Sequence, residues 1–170
     1  ILERSACTVD PATGNLTVRM EVGFPANGRT INAGELIKIL FDFLPLCVRQ
    51  TLLAATCPKA GLEKVLFLAD DQKAIRDALS ENGLVAFVAD GAVLPRKSGV
   101  SSLPMKEAVP FASPESMKVT LTLPHRGALT GMGIQKGVTL IVGGGYHGKS
   151  TLLEALMAGV YNHIAGDGRE

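Results

Sequence analysis

At 170 residues the chain has room for one domain with a substantial core, or for two very small ones. Apolar residues make up 46% and charged residues 19%, the balance of a soluble globular protein. A formal net charge of +1 gives no overall pull toward nucleic acid, which argues against a dedicated duplex-DNA binder and leaves only a local basic patch to be considered.

The first elements form an alternation of strand and turn. "SACTVD" and "LTVRMEVGF" read as strands separated by the turn "PATGN", and Leu16, Val18, Met20 and Val22 alternate with Thr17, Arg19 and Glu21. A second turn follows at "PANGR". Asn32 then has the chemistry of an N-cap, with Glu35 at the capping-box position. The helix from Ala33 is expected to bury Leu36, Leu40, Phe43 and Cys47, with Ile37, Phe41, Leu44 and Val48 beside them. Pro45 kinks or divides it. Glu35, Lys38, Asp42 and Arg49 on the other side exclude a membrane span, which needs an apolar run of ~20 residues.

In the middle of the chain, Asp70 is a candidate cap for a helix running through Leu79, with Gly83 ending it. The stretch 65–69 suits strand or helix, and helix fits better. "GLVAFVADG" reads as a buried strand. It leads into "AVLPRKSGVSSLPM", an irregular segment that places Arg96 and Lys97 side by side. The pair either contacts phosphate on a functional surface, of a nucleotide or of RNA, or decorates a solvated connection. "MKVTLTLP" is a further strand and "HRGALTGMGI" a turn, together suggesting an antiparallel flap ahead of the next motif.

That motif is "VGGGYHGKST". Residues 143–150 match G-x-x-x-x-G-K-[ST], the phosphate-cradling P-loop. Its flanks suit it. "GVTLIV" is a β-branched run fit for a strand, and Leu152, Leu153, Leu156 and Val160 recur at helical spacing opposite Glu154. Gly143, Gly144, Gly145 and Gly148 let the backbone curl so that successive N–H groups converge on phosphate, with Tyr146 and His147 between them. The helix start adds unpaired donors and the positive end of its dipole. Lys149 reaches the β- and γ-phosphates, Ser150 is placed to ligate Mg²⁺, and Thr151 either touches the α-phosphate or serves as a first-turn donor. His147 is expected to point outward rather than to act as a base.

Cys7, Cys47 and Cys57 are odd in number and share no C-x-x-C spacing. They read as buried or incidental thiols of an intracellular reducing compartment. The three histidines lie too far apart in sequence to suggest a metal site, and "ILERSACTVD" is no signal peptide. A start at Ile1 and an end at "GDGRE" lead to the expectation of a fragment, with the acidic Mg²⁺ and water-handling residues supplied by strands beyond it.

"FVADGAVLPRKSGVSSLPM", "GMGIQKGVTLIVGGGYHGKSTLLEAL" and "GVYNHIAGDGRE" together resemble the predicted ATPases of the ABC class, a similarity spanning about residues 22–170. The resemblance implies an α/β fold, with an N-terminal α/β domain over residues 1–110. The truncated first part of an ABC-type nucleotide-binding domain would occupy 111–170. It further implies ATP and Mg²⁺ as ligands, a homodimer, and hydrolysis in the full-length protein only. Some members resemble a kinetoplastid mitochondrial RNA-editing factor whose ATPase subunits pair and contact RNA. RNA is therefore implied as a further partner, in the cytoplasm or, for that type, the mitochondrion. An alternative implication is an RNA-binding factor for which ATP is structural or regulatory. Tyr146 departs from ordinary ABC ATPases, which carry glycine there. His125, Arg126 and Phe111 are the candidates for the adenine-stacking group, and no L-S-G-G-Q signature occurs.

Overall fold

The computed structural model describes residues 5–53, 55–56 and 58–170. It is a mixed α/β chain that forms two compact units, Leu2–Leu62 and Glu63–Glu170. The sequence expectation put the change between residues 110 and 111.

In the first unit, β1 (Cys7–Val9) and β2 (Leu16–Val18) pair antiparallel with Thr8 opposite Thr17. Asp10 shapes their turn, accepting from Thr13 Oγ1 at 2.6 Å and from the Ala12 N–H at 2.9 Å. Those two bonds hold its carboxyl below the usual carboxylate range. A small hairpin, β3 (Ala26–Asn27) with β4 (Thr30–Ile31), turns at Gly28, whose φ of +61° suits glycine.

Asn32 caps α1 (Ala33–Lys38) as expected, its Oδ1 accepting from the Glu35 N–H at 3.3 Å. The box is not reciprocal. The Glu35 carboxylate takes Lys38 at 2.8 Å, and the Asn32 N–H donates instead to the Pro25 carbonyl at 2.8 Å. Pro45 does divide the helix. A π turn (Ile39–Phe43) precedes α2 (Leu44–Thr51), whose first turn holds the proline, where its missing N–H is tolerated.

The wider π turn rotates the stripe that follows it. Leu36, Leu40, Leu44 and Val48 are half-buried, whereas Phe43 and Cys47 are exposed, as are Ile37 and Phe41. The expected burial of Phe43 and Cys47 is thereby corrected. Cys7 is likewise an exposed free thiol, and Cys57 lies outside the described residues.

The second unit holds the core. Helix α3 (Lys59–Glu81), which belongs to this unit from Glu63 onward, runs straight through Asp70, which is therefore not its cap, and Gly83 follows it with φ +66°. The sheet is antiparallel throughout, in the order β5 (Leu84–Ala89), β7 (Gly127–Gln135), β6 (Lys118–Leu123). Two expectations change here. "GALTGMGIQ" is the central strand, with the turn confined to residues 124–126, and β5 is an edge strand with Val85 57% exposed.

Alternation assigns the two faces of this sheet. Leu121, Leu123 and Leu129 pack with Ala74, Ile75 and Ala78 of α3. On the opposite face Val88, Met132 and Ile134 pack with Leu94, Phe111, Leu152 and Leu156. Glycine at 131 is required by close approach, since a Cβ there would stand 2.3 Å from the Val88 carbonyl oxygen. Asp71, buried on α3, accepts the N–H groups of His125 at 2.9 Å and Arg126 at 3.0 Å, so its carboxylate anchors the β6–β7 turn.

Candidate functional site

The loop of residues 143–148 ends at α4 (Lys149–Ala158). Leu152 and Leu156 lie four residues apart on one face of α4 and join the Val88–Met132–Ile134 cluster, which fixes the helix against the sheet. Leu153, expected inward with them, is 50% exposed, because a ten-residue helix resting on one sheet face covers only one stripe, and Val160, 67% exposed, lies in the turn beyond the helix.

The helix start is Gly148, left-handed at φ +76°, and no side chain caps it. Its first-turn N–H groups are thus left free of side-chain acceptors, which is what an anion needs at a helix N-terminus. Polyphosphate chemistry fits this cradle. Gly143 has φ +155°, and a Cβ there would be in ordinary van der Waals contact with the His147 and Lys149 side chains. Tyr146 has φ +62° and is fully exposed. A positive φ explains why glycine is usual at that position, since a larger L-residue there costs about 1–2 kcal/mol.

Lys149 folds back over the loop, donating to the Gly143 carbonyl at 2.6 Å and to the Gly144 carbonyl. Gly145, Ser150 and Thr151 complete the run, with Gly145 and Ser150 exposed and Thr151 half-buried. Ser150 directly follows the lysine in the first turn, so its hydroxyl is available to a magnesium ion carried in with phosphate. No group of three or more His, Cys, Asp or Glu suited to a metal occurs among the described residues.

The segment preceding the loop differs from expectation. Residues 137–142 form no strand, and Val138, Leu140 and Val142 are 104%, 81% and 74% exposed. A strand requires a ladder partner, and none of the described strands pairs with this stretch.

Arg96 and Lys97 do not share one environment. The Arg96 guanidinium is turned inward, donating to the Asp167 carboxylate at 3.1 Å, the Asp167 carbonyl at 2.8 Å and the Val93 carbonyl at 2.8 Å. Lys97 is exposed. The other oxygen of Asp167 meets His163 Nδ1 at 2.7 Å, and His163 Nε2 faces the Ala158 carbonyl at the end of α4. Gln72 of α3 pairs with the His163 backbone in both directions at 2.9 Å, and Arg76 donates to Asn162 Oδ1 at 2.5 Å. Arg169 donates to the Leu94 carbonyl, and burial holds its guanidinium below the ordinary arginine range. These residues pin the stretch after α4 to α3 and to the segment following β5.

Sequence reasoning missed this clamp. A local signal was the i, i+4 spacing of His163 and Asp167; the partners in α3 and at Arg96 are 91 and 71 residues distant. Of the adenine candidates, Phe111 packs into the core, His125 stacks on Phe67 at 4.0 Å, and Arg126 is exposed. A cavity of about 400 Å³ lies beside the C-terminal half of α4, lined in part by Ile75, Leu79, Leu129 and Leu156, and residues 143–151 do not line it.

With this geometry in place, comparison with known proteins decides the family. Residues 58–170 match the ABC ATPase family model described as "P-loop domain", and residues 1–55 match that of "ATPase of the ABC class N-terminal". The chain belongs to the ATPases of the ABC class. This ABC-class chain is also 35% identical over 108 residues to an uncharacterized protein of Methanocaldococcus jannaschii. That match covers 59% of the chain and 24% of the archaeal protein, so the chain spans about a quarter of that relative's length. Among the described residues no helix of this ABC-class chain is long and apolar enough to cross a membrane.

Proposed function

We propose that the chain supplies the phosphate-binding half of a Mg²⁺-ATP site in an ATPase that works as a homodimer. The observation that carries this reading is an uncapped helix start at Gly148, preceded by a glycine loop and followed directly by Lys149 and Ser150. Gly143, Gly144, Gly145, Tyr146, His147 and Gly148 wrap the polyphosphate, and the first-turn N–H groups of α4 donate to it. Lys149 exchanges the loop carbonyls for phosphate oxygens. Ser150 holds the magnesium ion, which when bound neutralises developing charge on the transferred phosphoryl group. Hydrolysis belongs to the full-length protein.

Calorimetry on the full-length protein tests this directly. Lys149→Ala removes a charge-assisted contact of about 1.5–3 kcal/mol, so Mg²⁺-ATP affinity falls tenfold or more. Ser150→Ala weakens Mg²⁺-ATP more than magnesium-free ATP. Unchanged affinity in the lysine variant contradicts the assignment.

A second reading makes RNA a partner and ATP a structural or regulatory ligand. It draws support from Lys97, exposed on an irregular segment whose neighbour Arg96 is locked to Asp167. If Lys97 meets an RNA phosphate, Lys97→Ala flattens the salt dependence of single-strand binding by about 0.7 in slope. An unchanged slope removes the support.

A further inference from the structure

His147 is the loop's histidine, a residue type that changes charge between about pH 5 and 8. Although exposed, its imidazole lies back over the glycine turn. A Cβ on Gly144 would stand 3.3 Å from His147 Cε1 and 3.6 Å from each ring nitrogen. A Cβ on Gly143 would stand 3.8 Å from His147 Nδ1 and 3.8 Å from Lys149 Cδ. The ring and the lysine stem therefore flank one point on the same side of the loop.

The glycine turn beside the ring, Gly143 and Gly144, carries no titratable side chain. Lys149 is the neighbouring charge, with its ammonium on the loop carbonyls, and the Tyr146 side chain is fully exposed. Among the described residues no carboxylate pairs with His147 or with Lys149.

We propose that His147 is a second phosphate-binding group beside Lys149, and that it binds in its protonated form. The inference rests on polyphosphate occupying this loop. A polyphosphate brought to the lysine comes within reach of the imidazole, and its negative charge favours the imidazolium over the neutral ring. The linkage has a definite sign. Binding that favours the protonated ring takes up a proton from solvent, so affinity rises as the pH falls. A small residue at this position would bind phosphate with no such dependence.

The test is calorimetry of ADP and Mg²⁺-ATP binding to the full-length protein at pH 6 and pH 8, in two buffers of different ionisation enthalpy. His147→Gln, which keeps a donor and does not titrate, is run beside the wild type, so that the nucleotide's own protonation cancels between them. The wild type binds about fivefold more tightly at the lower pH, beyond any change in the variant, the scale of one exposed charge-assisted contact. It also takes up a fraction of a proton that the variant does not. Equal pH dependence and equal proton counts in the two proteins overturn the inference while leaving polyphosphate in the loop. Wild-type protein that binds neither nucleotide at either pH overturns the phosphate reading itself, and this inference with it.

Discussion

The two sides of the P-loop are built on different terms. On the helix side, α4 is held by Leu152 and Leu156 against Val88, Met132 and Ile134, all within Glu63–Glu170. On the strand side, residues 137–142 carry an apolar alternation just as strong, yet Val138, Leu140 and Val142 face outward. The contrast separates two kinds of local signal. An amphipathic helix makes its own backbone hydrogen bonds and needs only an apolar surface to rest on, whereas a strand needs a ladder partner before its side chains have faces to bury. The phosphate contacts proposed above depend chiefly on the helix side, because the N–H groups of the first turn and Lys149 belong to it.

The largest expected effect is in the sheet that carries the helix side, in the cluster on the face turned away from α4. Leu129→Ala removes a side chain that is only 7% exposed and packed among Leu121 and Leu123, and should cost about 2–5 kcal/mol in chemical denaturation. A loss below 1 kcal/mol would mean that the sheet does not carry the unit.

A smaller effect is expected at the β6–β7 turn. Asp71→Asn keeps the shape but sets an amide donor against one of two backbone N–H groups, costing about 1.5–3 kcal/mol in thermal melts. The smallest is on the strand side, where Val138→Ala in this chain should shift stability by no more than about 0.5 kcal/mol. A loss comparable with that of Leu129→Ala would show that the stretch 137–142 is packed after all.

Legibility in the sequence followed the range of the forces involved. The Asn32 cap, the interruption at Pro45, β6 and the start of α4 are set by neighbours within a turn or two, and each was readable. β7 was mistaken for a turn because Gly127, Gly131 and Gly133 look like punctuation, yet two of these glycines mark close approach, to β5 at 131 and to Val119 and Leu84 at 133. The burial of Phe43 and Cys47 was misjudged because a π turn shifts helical phase, and single-residue spacing carries no warning of it. Arg96 looked like a surface cation, and only the fold brings Asp167 to it. The loop of residues 143–151 was legible as a motif because its chemistry is carried by consecutive backbone amides, whose placement needs no distant partner.

Amide hydrogen exchange of the full-length protein with and without Mg²⁺-ATP is the most direct test of where the phosphates sit. The account predicts that exchange at Lys149, Ser150 and Thr151 slows markedly on binding, while the amides of Leu2–Leu62 are unaffected. Nucleotide binding that leaves those three amides exchanging as before would contradict it.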